Sequence, residues 1–489
     1  MLSHPVFDVE DDGGAWPLRL ANRLHVQTRE EVIRRELLFA PGDDLDPERL
    51  AQTERNLRAL VFLRDARVEA RPAAEGDEGD RDVEVRTFDA WSTSPEVRFA
   101  QAGRRTLWSV GVSEKNLLGR GQQVEISRRA DHDREETYFA LADPRLAGSR
   151  LGLSLAYSDR SDGRRGEARL ARPFLSLQDR WSFGARIEGF DQQDPLYGDG
   201  ERLAELRHVS RAADLELART VRHHDQSALR VDVAYRHRDD QVAGDRRRFG
   251  ILEVGLRSVH HDFVSLSHVN RFEAVEDFNL GSDGRISLGL STPALGGEPG
   301  RVLFLKLSQA AGARLGSHAL IRARAAWSGR HRRRRLENGL GELRVDYLNK
   351  LTPRRLLLAL VRYRHGTRLD PETQITLGVD EGLRGHEVRQ WVGDRSLLLS
   401  SELRLFLLDD VLQLASFGVA AFVDSGYAWP AGQALSLGDL RTNVGVGLLV
   451  GRNRLTTTRA GMRFDLAYAF EPAAGRSRLV FSAGSQVGF

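Results

Sequence analysis

The chain has 489 residues, long enough for several domains or one large barrel. It contains no cysteine, which excludes disulfide frameworks, cysteine nucleophiles and thiolate metal sites. Its 72 basic and 69 acidic residues leave a formal net charge of +3, too small for a polybasic nucleic-acid binder. No apolar run approaches the roughly 18–20 residues of a membrane-spanning helix. A membrane β-barrel stays compatible, because alternation keeps mean hydropathy low, here −0.40.

The N-terminal stretch "MLSHPVFDVEDDGGAW" has no basic start and no apolar core, so it does not read as a signal peptide. Residues 1–17 read as an extension; on this reading the protein is either cytosolic or a mature or truncated form. Residues 18–91 mix periods and predict a small α+β module. "RLANRLHVQ" reads as a short strand. "TREEVIRRELLF" reads as a helix with Thr28 as N-cap, Glu31 three residues on, and Val32, Leu37 and Leu38 apolar. "PERLAQTERNLRALVFL" reads as a second helix, capped by Asp46 with Pro47 as its first residue. "ARVEARP" and "DVEVRTF" alternate as two strands around an acidic turn.

From about residue 95 to the end the period is two. "MRFDLAYAF" sets Met462, Phe464, Leu466, Tyr468 and Phe470 against Arg463, Asp465, Ala467 and Ala469. "RVDVAYR" sets Val231, Val233 and Tyr235 against Arg230, Asp232 and Arg236. "IRARAAW" repeats the pattern, with Arg322 and Arg324 on the polar side. Charges of both signs recur on the polar face, and no helices cover the apolar one. A soluble sheet of this size would curl or split and leave edges exposed. A closed barrel in lipid leaves no edge and turns its charges to the lumen. The chain stops on Phe489, on the apolar face of a strand that also holds Phe481.

The N-terminal module, through "GDDLDPERLAQTERNLRALVFLRDARVE", resembles a POTRA domain, although Val61 stands where that family usually has glycine. Four later motifs keep the order of the BamA/TamA superfamily of outer-membrane assembly and secretion barrels, which includes bacterial surface antigens. They are "EKNLLGRGQ", "FALADPRLAGSRLGLSL", "ETQITLGVDEGLRGHEVRQWVGDRSLLLSSELR" and "FVDSG". The resemblance spans nearly the whole chain. It implies an all-β fold: a transmembrane antiparallel barrel of about sixteen strands over 95–489, behind a POTRA domain in the periplasm. More segments precede the tetrad loop than that number allows, so some between 95 and 300 read as halves of long loops or of one strand. The resemblance also implies that 366–394 is an extracellular loop folded into the lumen. Its tetrad, Leu383, Arg384, Gly385 and His386, would meet the F-x-D-x-G strand, Phe422, Asp424 and Gly426, with Arg384 on Asp424. Alternation supports the strand's side of this pairing. Val419, Ala421 and Val423 share the apolar face, so Phe422, Asp424 and Gly426 point inward. Gly385 would let the backbone bend, and Gly426 would remove bulk at the loop tip. His386 stands where the family has another aromatic, and its charge is expected to change near neutral pH. Phe481 and Phe489 resemble a C-terminal barrel signal.

Counting strand directions from the loop puts Arg332, Arg333, Arg334 and Arg335 outside. They are either a solvated loop or a cationic contact for lipopolysaccharide phosphates. No nucleophile elbow, zinc-protease motif or phosphate loop occurs, so no enzyme and no cofactor is expected. His223–His224 and His260–His261–Asp262 read as solvated strand ends, with no metal. The leading function is insertion or translocation of polypeptides at the outer membrane. The expected partners are lipid, client polypeptides and a periplasmic or inner-membrane protein at the POTRA domain. A dedicated two-partner secretion pore, a passive porin and a surface-antigen scaffold are the alternatives.

Overall fold

The computed structural model describes residues 2–7, 16–73, 80–102, 105–451, 454, 461–472, 475 and 477–485. At the N-terminus, Leu2–His4 pairs in parallel with Arg81–Asp89, which pairs antiparallel with Leu63–Pro72. Three helices accompany this sheet: α1 (Trp16–Leu24), α2 (Glu30–Arg34) and α3 (Pro47–Ala59). Asp46 caps α3 by accepting from the N–H of Glu48 at 2.9 Å and of Arg49 at 3.3 Å. Val32, Ile33, Leu57, Phe62, Leu63, Ala66 and Val85 fill the core between helices and sheet.

Two expectations fail here. "RLANRLHVQ" is mostly α1, not a strand; the third strand of the sheet is Leu2–His4, within the stretch read as an extension. Leucines at two-residue spacing imitate a strand, but Trp16, Leu20 and Leu24 also repeat at four, the spacing of a helix face. Thr28 does not cap α2. Its N–H donates to Asp89 at 2.8 Å and its hydroxyl accepts from Asn116 at 2.9 Å, so tertiary bonds use the groups a cap would need.

From Thr93 to Ser485 the chain closes into one antiparallel barrel of twenty strands among the described residues, not sixteen. Five strands follow the tetrad loop: Arg395–Val411, Ala415–Trp429, Arg441–Gly451, Met462–Ala469 and Leu479–Ser485. The surplus lies before it. Gln122–Ala130, Glu135–Asp143, Gly152–Arg160 and Gly163–Arg172 are not fragments of loops. Each has an antiparallel neighbour on both sides, and their 9 or 10 residues suffice to cross a bilayer at a tilt. The last strand meets the first, Thr93–Ala102, through one described residue pair, Ser482 with Ala102.

Outward side chains such as Ile187, Leu217, Val254, Leu288, Val446 and Leu466 are exposed, whereas inward Asp214, Asp232, Glu253, Asp346, Arg463 and Asp465 are buried. An apolar belt of this size is foreign to a water-soluble monomer and normal for a lipid-facing barrel wall.

The strand connections separate into two ends. One carries the small domain: Arg145 bonds Glu36, Asn56 donates to the Leu175 carbonyl at 3.3 Å, and Arg58 pairs with Asp277 at 3.4 Å. At this end, residues 261–282 form an insert that the sequence reading missed. A small hairpin, Phe263–Leu266 with Glu276–Asn279, carries Val269, Phe272, Phe278 and Leu280 into the lumen. They pack with inward Leu348, Leu356, Leu358, Phe406, Ala420 and Leu449. Gly451 makes room for this: a Cβ there would lie 2.2 Å from the Phe272 ring.

Candidate functional site

At the opposite end, the chain leaves the strand Arg355–Thr367 and folds back into the barrel before resuming at Arg395. Two three-residue strands, Ile375–Leu377 and Trp391–Gly393, brace this loop. Leu377 and Leu383 pack on the wall residues Leu398 and Ala428. Gly382 turns the chain with φ 104°, a conformation open to glycine. The turn delivers Arg384 to the wall.

Asp424, fully buried, receives it. Arg384 Nε donates to Asp424 Oδ2 at 2.8 Å and Nη2 donates to Oδ1 at 2.6 Å, a bidentate pair. The Arg384 backbone N–H adds a bond at 3.3 Å. Ser400 Oγ donates to Asp424 Oδ1 at 2.7 Å and Asn443 Nδ2 to Oδ2 at 2.9 Å. Register explains this set: Ser400, Asp424 and Asn443 lie in one row across three adjacent strands. The guanidinium also lies 3.5 Å over the Phe422 ring, which Gly445 accommodates, since a Cβ there would touch that ring at 2.3 Å.

The sequence reading missed the other half of the site. Arg384 Nη1 donates to Glu402 at 2.6 Å. Glu402 also accepts from Arg404 at 2.6 Å and Arg463 at 2.7 Å, and Arg463 bonds Asp465 at 2.6 Å. Three guanidinium groups thus face three carboxylates in a largely buried site, which satisfies charge that is costly to bury alone. Arg404 reaches further, donating to the Val269 carbonyl at 2.8 Å. One chain of bonds therefore joins the far loop to the insert at the small-domain end. Alternation places Arg463 and Asp465 inward, but only strand register reveals that they meet Glu402.

The loop is tied across the lumen as well. Gln374 exchanges two bonds with the Tyr197 backbone, at 2.8 and 3.0 Å. Arg389 pairs with Asp133 at 2.9 Å. Arg330 grips Asp370 at 2.6 and 2.9 Å, and Arg247 pairs with the same carboxylate at 2.8 Å.

Gly385 serves close approach rather than a bend, since its φ is not positive: a Cβ would lie 2.5 Å from Asn443 Cβ. Gly426 leaves space for Leu377 of the loop, 2.9 Å from a virtual Cβ. His386 is buried edge-on to Trp391, ring centroids 6.0 Å apart. Burial, with Arg441 adding to it, pushes its imidazole down to about 4. It is therefore neutral in the docked loop at neutral pH, contrary to the expected change of charge there. Arg332 pairs with Glu298, while Arg333 and Arg334 form an exposed turn at the same end and Arg335, also exposed, begins the next strand. Phe481 points outward opposite Leu466; Phe489 lies outside the described residues. No group of three metal-ligating side chains occurs among the described residues.

No family model matches the chain. A Treponema pallidum (strain Nichols) protein described as an outer membrane protein assembly factor is 25% identical over 134 residues. That stretch is 27% of this chain and only 16% of the relative's length. The chain is also similar in structure to BamA from Haemophilus ducreyi lacking POTRA domains 1–3, at 14% identity and TM-score 0.42, over 94% of this chain and 82% of that one. CdiB from Acinetobacter baumannii gives 13% identity and TM-score 0.45, over 94% and 72%. CdiB from Escherichia coli gives 13% and 0.46, over 93% and 73%.

Proposed function

We propose that this chain is an outer-membrane barrel that inserts or translocates polypeptides, described here with its lumen shut. The observation that carries the reading is the seating of Arg384 on Asp424 and Glu402, inside a closed barrel with an apolar outer belt. A loop seated on a buried charge cluster, with further ion pairs to the barrel through Asp133 and Asp370, shuts the lumen through polar contacts that can exchange. The ordered sequence motifs and the name of the Treponema relative support the same function. In this reading the small domain is a POTRA-like module at the periplasmic mouth, where clients and a periplasmic or inner-membrane partner arrive. The loop closes the extracellular mouth. Leu383, Arg384, Gly385, His386, Phe422, Asp424 and Gly426 form the lock. Arg333, Arg334 and Arg335 face lipopolysaccharide phosphates, and Phe481 and Phe489 belong to a C-terminal barrel signal.

Depletion of the chain in its own cells tests this function. Quantitative proteomics of the outer membrane and medium should show loss of several barrel proteins for an insertase. Loss of one secreted protein would mark a dedicated pore. Unchanged levels of both would refute the function.

A further inference from the structure

Helix α1 turns its apolar side away from the protein. At about 100° per residue, Trp16, Leu20 and Leu24 form one stripe, flanked by Arg19 and Arg23. The three apolar residues are 69%, 46% and 67% exposed. The opposite side, with Leu18, Ala21, Asn22 and His25, faces the domain. Its attachment is polar. Asn22 donates to the Phe7 carbonyl at 2.8 Å and accepts from the Phe7 N–H at 3.1 Å, and His25 Nε2 lies 3.1 Å from Asp89. Hydrogen bonds fasten the helix and leave its apolar half uncovered.

The position of α1 points to what covers it. The His25 ring lies 6.0 Å from Trp91, two residues before the first barrel strand. The Trp91 N–H donates to the Arg454 carbonyl at 2.8 Å. Arg454 in turn donates to the Val6 carbonyl at 2.7 Å and to Asp410 at 2.6 Å. Asp410, at the end of the strand Arg395–Val411, and Arg454, in a turn, lie at the small-domain end of the barrel. Beside them Leu408, Leu412 and Leu414 are exposed. Two uncovered apolar surfaces thus sit on one rim, at the place where the chain enters the wall.

We propose that α1 lies in the headgroup zone of the bilayer leaflet on the small-domain side, and so anchors that domain to lipid beside the first strand. Trp16, Leu20 and Leu24 enter the acyl-chain boundary, and Arg19 and Arg23 lie against lipid phosphates. A tryptophan and leucines beside arginines on one helix face suit this interface, where rings and guanidinium groups meet headgroups. The inference rests on the membrane-barrel reading above.

The test places the full chain in vesicles of phosphatidylethanolamine and phosphatidylglycerol containing lipid brominated along its acyl chains. The chain has 7 tryptophans, so the Trp16 signal is the difference between wild type and Trp16→Phe. Trp327, opposite outward Leu307 in the barrel wall, serves as an internal control through Trp327→Phe. Brominated lipid should remove most of both signals, and Leu20→Asn/Leu24→Asn should restore that of Trp16 alone. If Trp327 is quenched while Trp16 stays open to aqueous iodide, α1 faces water and the proposal falls. If Trp16 resists both quenchers, protein covers the helix and the proposal falls equally. If neither tryptophan is quenched by lipid, the membrane-barrel reading fails with it.

Discussion

Replacing Arg384 by alanine should weaken the docking of the loop in the lumen. Asp424 is fully buried and the Arg384 side chain is 13% exposed, so each is the other's replacement for water. Removing one partner of a buried ion pair costs about 3–5 kcal/mol. Here the cost falls near the lower figure, because Asp424 keeps Ser400 and Asn443, and Glu402 keeps Arg404 and Arg463. A loss of about 3 kcal/mol shifts the ratio of docked to undocked loop roughly 100-fold, at about 1.4 kcal/mol per tenfold. Asp424→Ala should act similarly, since Arg384 then keeps only Glu402, Ser400 and the Phe422 ring. In the double variant neither group is left facing an unpaired partner across this bond. Its cost should undercut the sum of the single costs by about 2 kcal/mol. Open probability in planar bilayers and the rate of proteolysis within the loop both report undocking. Strict additivity of the two substitutions in both assays would refute the pairing.

Other substitutions probe the rest of the lock. Glu402→Gln leaves Arg384, Arg404 and Arg463 with one carboxylate fewer, and should raise open probability at least as much as Arg384→Ala. Gly385→Ala sets a Cβ 2.5 Å from Asn443 and should undock the loop without changing any charge; wild-type proteolysis would contradict that. His386 has a docked value of about 4, below its ordinary value of about 6.5, so protons prefer the undocked loop. Docking should therefore hold steady above pH 6.5 and weaken as pH falls toward 4, by about 2 kcal/mol at pH 5. His386→Tyr should remove this slope, measured as open probability against pH. Phe272→Ala empties the insert's core and should destabilise its packing by about 3–5 kcal/mol, read as faster proteolysis within residues 261–282.

The barrel was legible because alternation survives strand by strand. Arg463 and Asp465 fall inward and Leu466 outward from spacing alone, and Asp424 likewise lies opposite Val423. The partner of Arg384 came from a resemblance, which named Asp424 but not Glu402. The register that lines up Ser400, Asp424 and Asn443 depends on turn lengths that no local pattern encodes. The insert escaped because its strands are four residues long, too short for either period to show. The strand total failed because sixteen came from the resemblance, so the surplus segments legible before the tetrad loop were set down as halves of loops when they are strands of their own. Helix α1 was misread because its leucines satisfy both periods, and only the three-dimensional attachment through Asn22 separates them.

The most direct measurement is the folding rate of a urea-denatured outer-membrane barrel protein added to vesicles with and without this chain. The proposed insertion function predicts faster folding with the wild-type chain and a changed rate with Arg384→Ala, whose barrel remains assembled. Equal rates in empty, wild-type and Arg384→Ala vesicles, with the chain shown to be inserted, would contradict it.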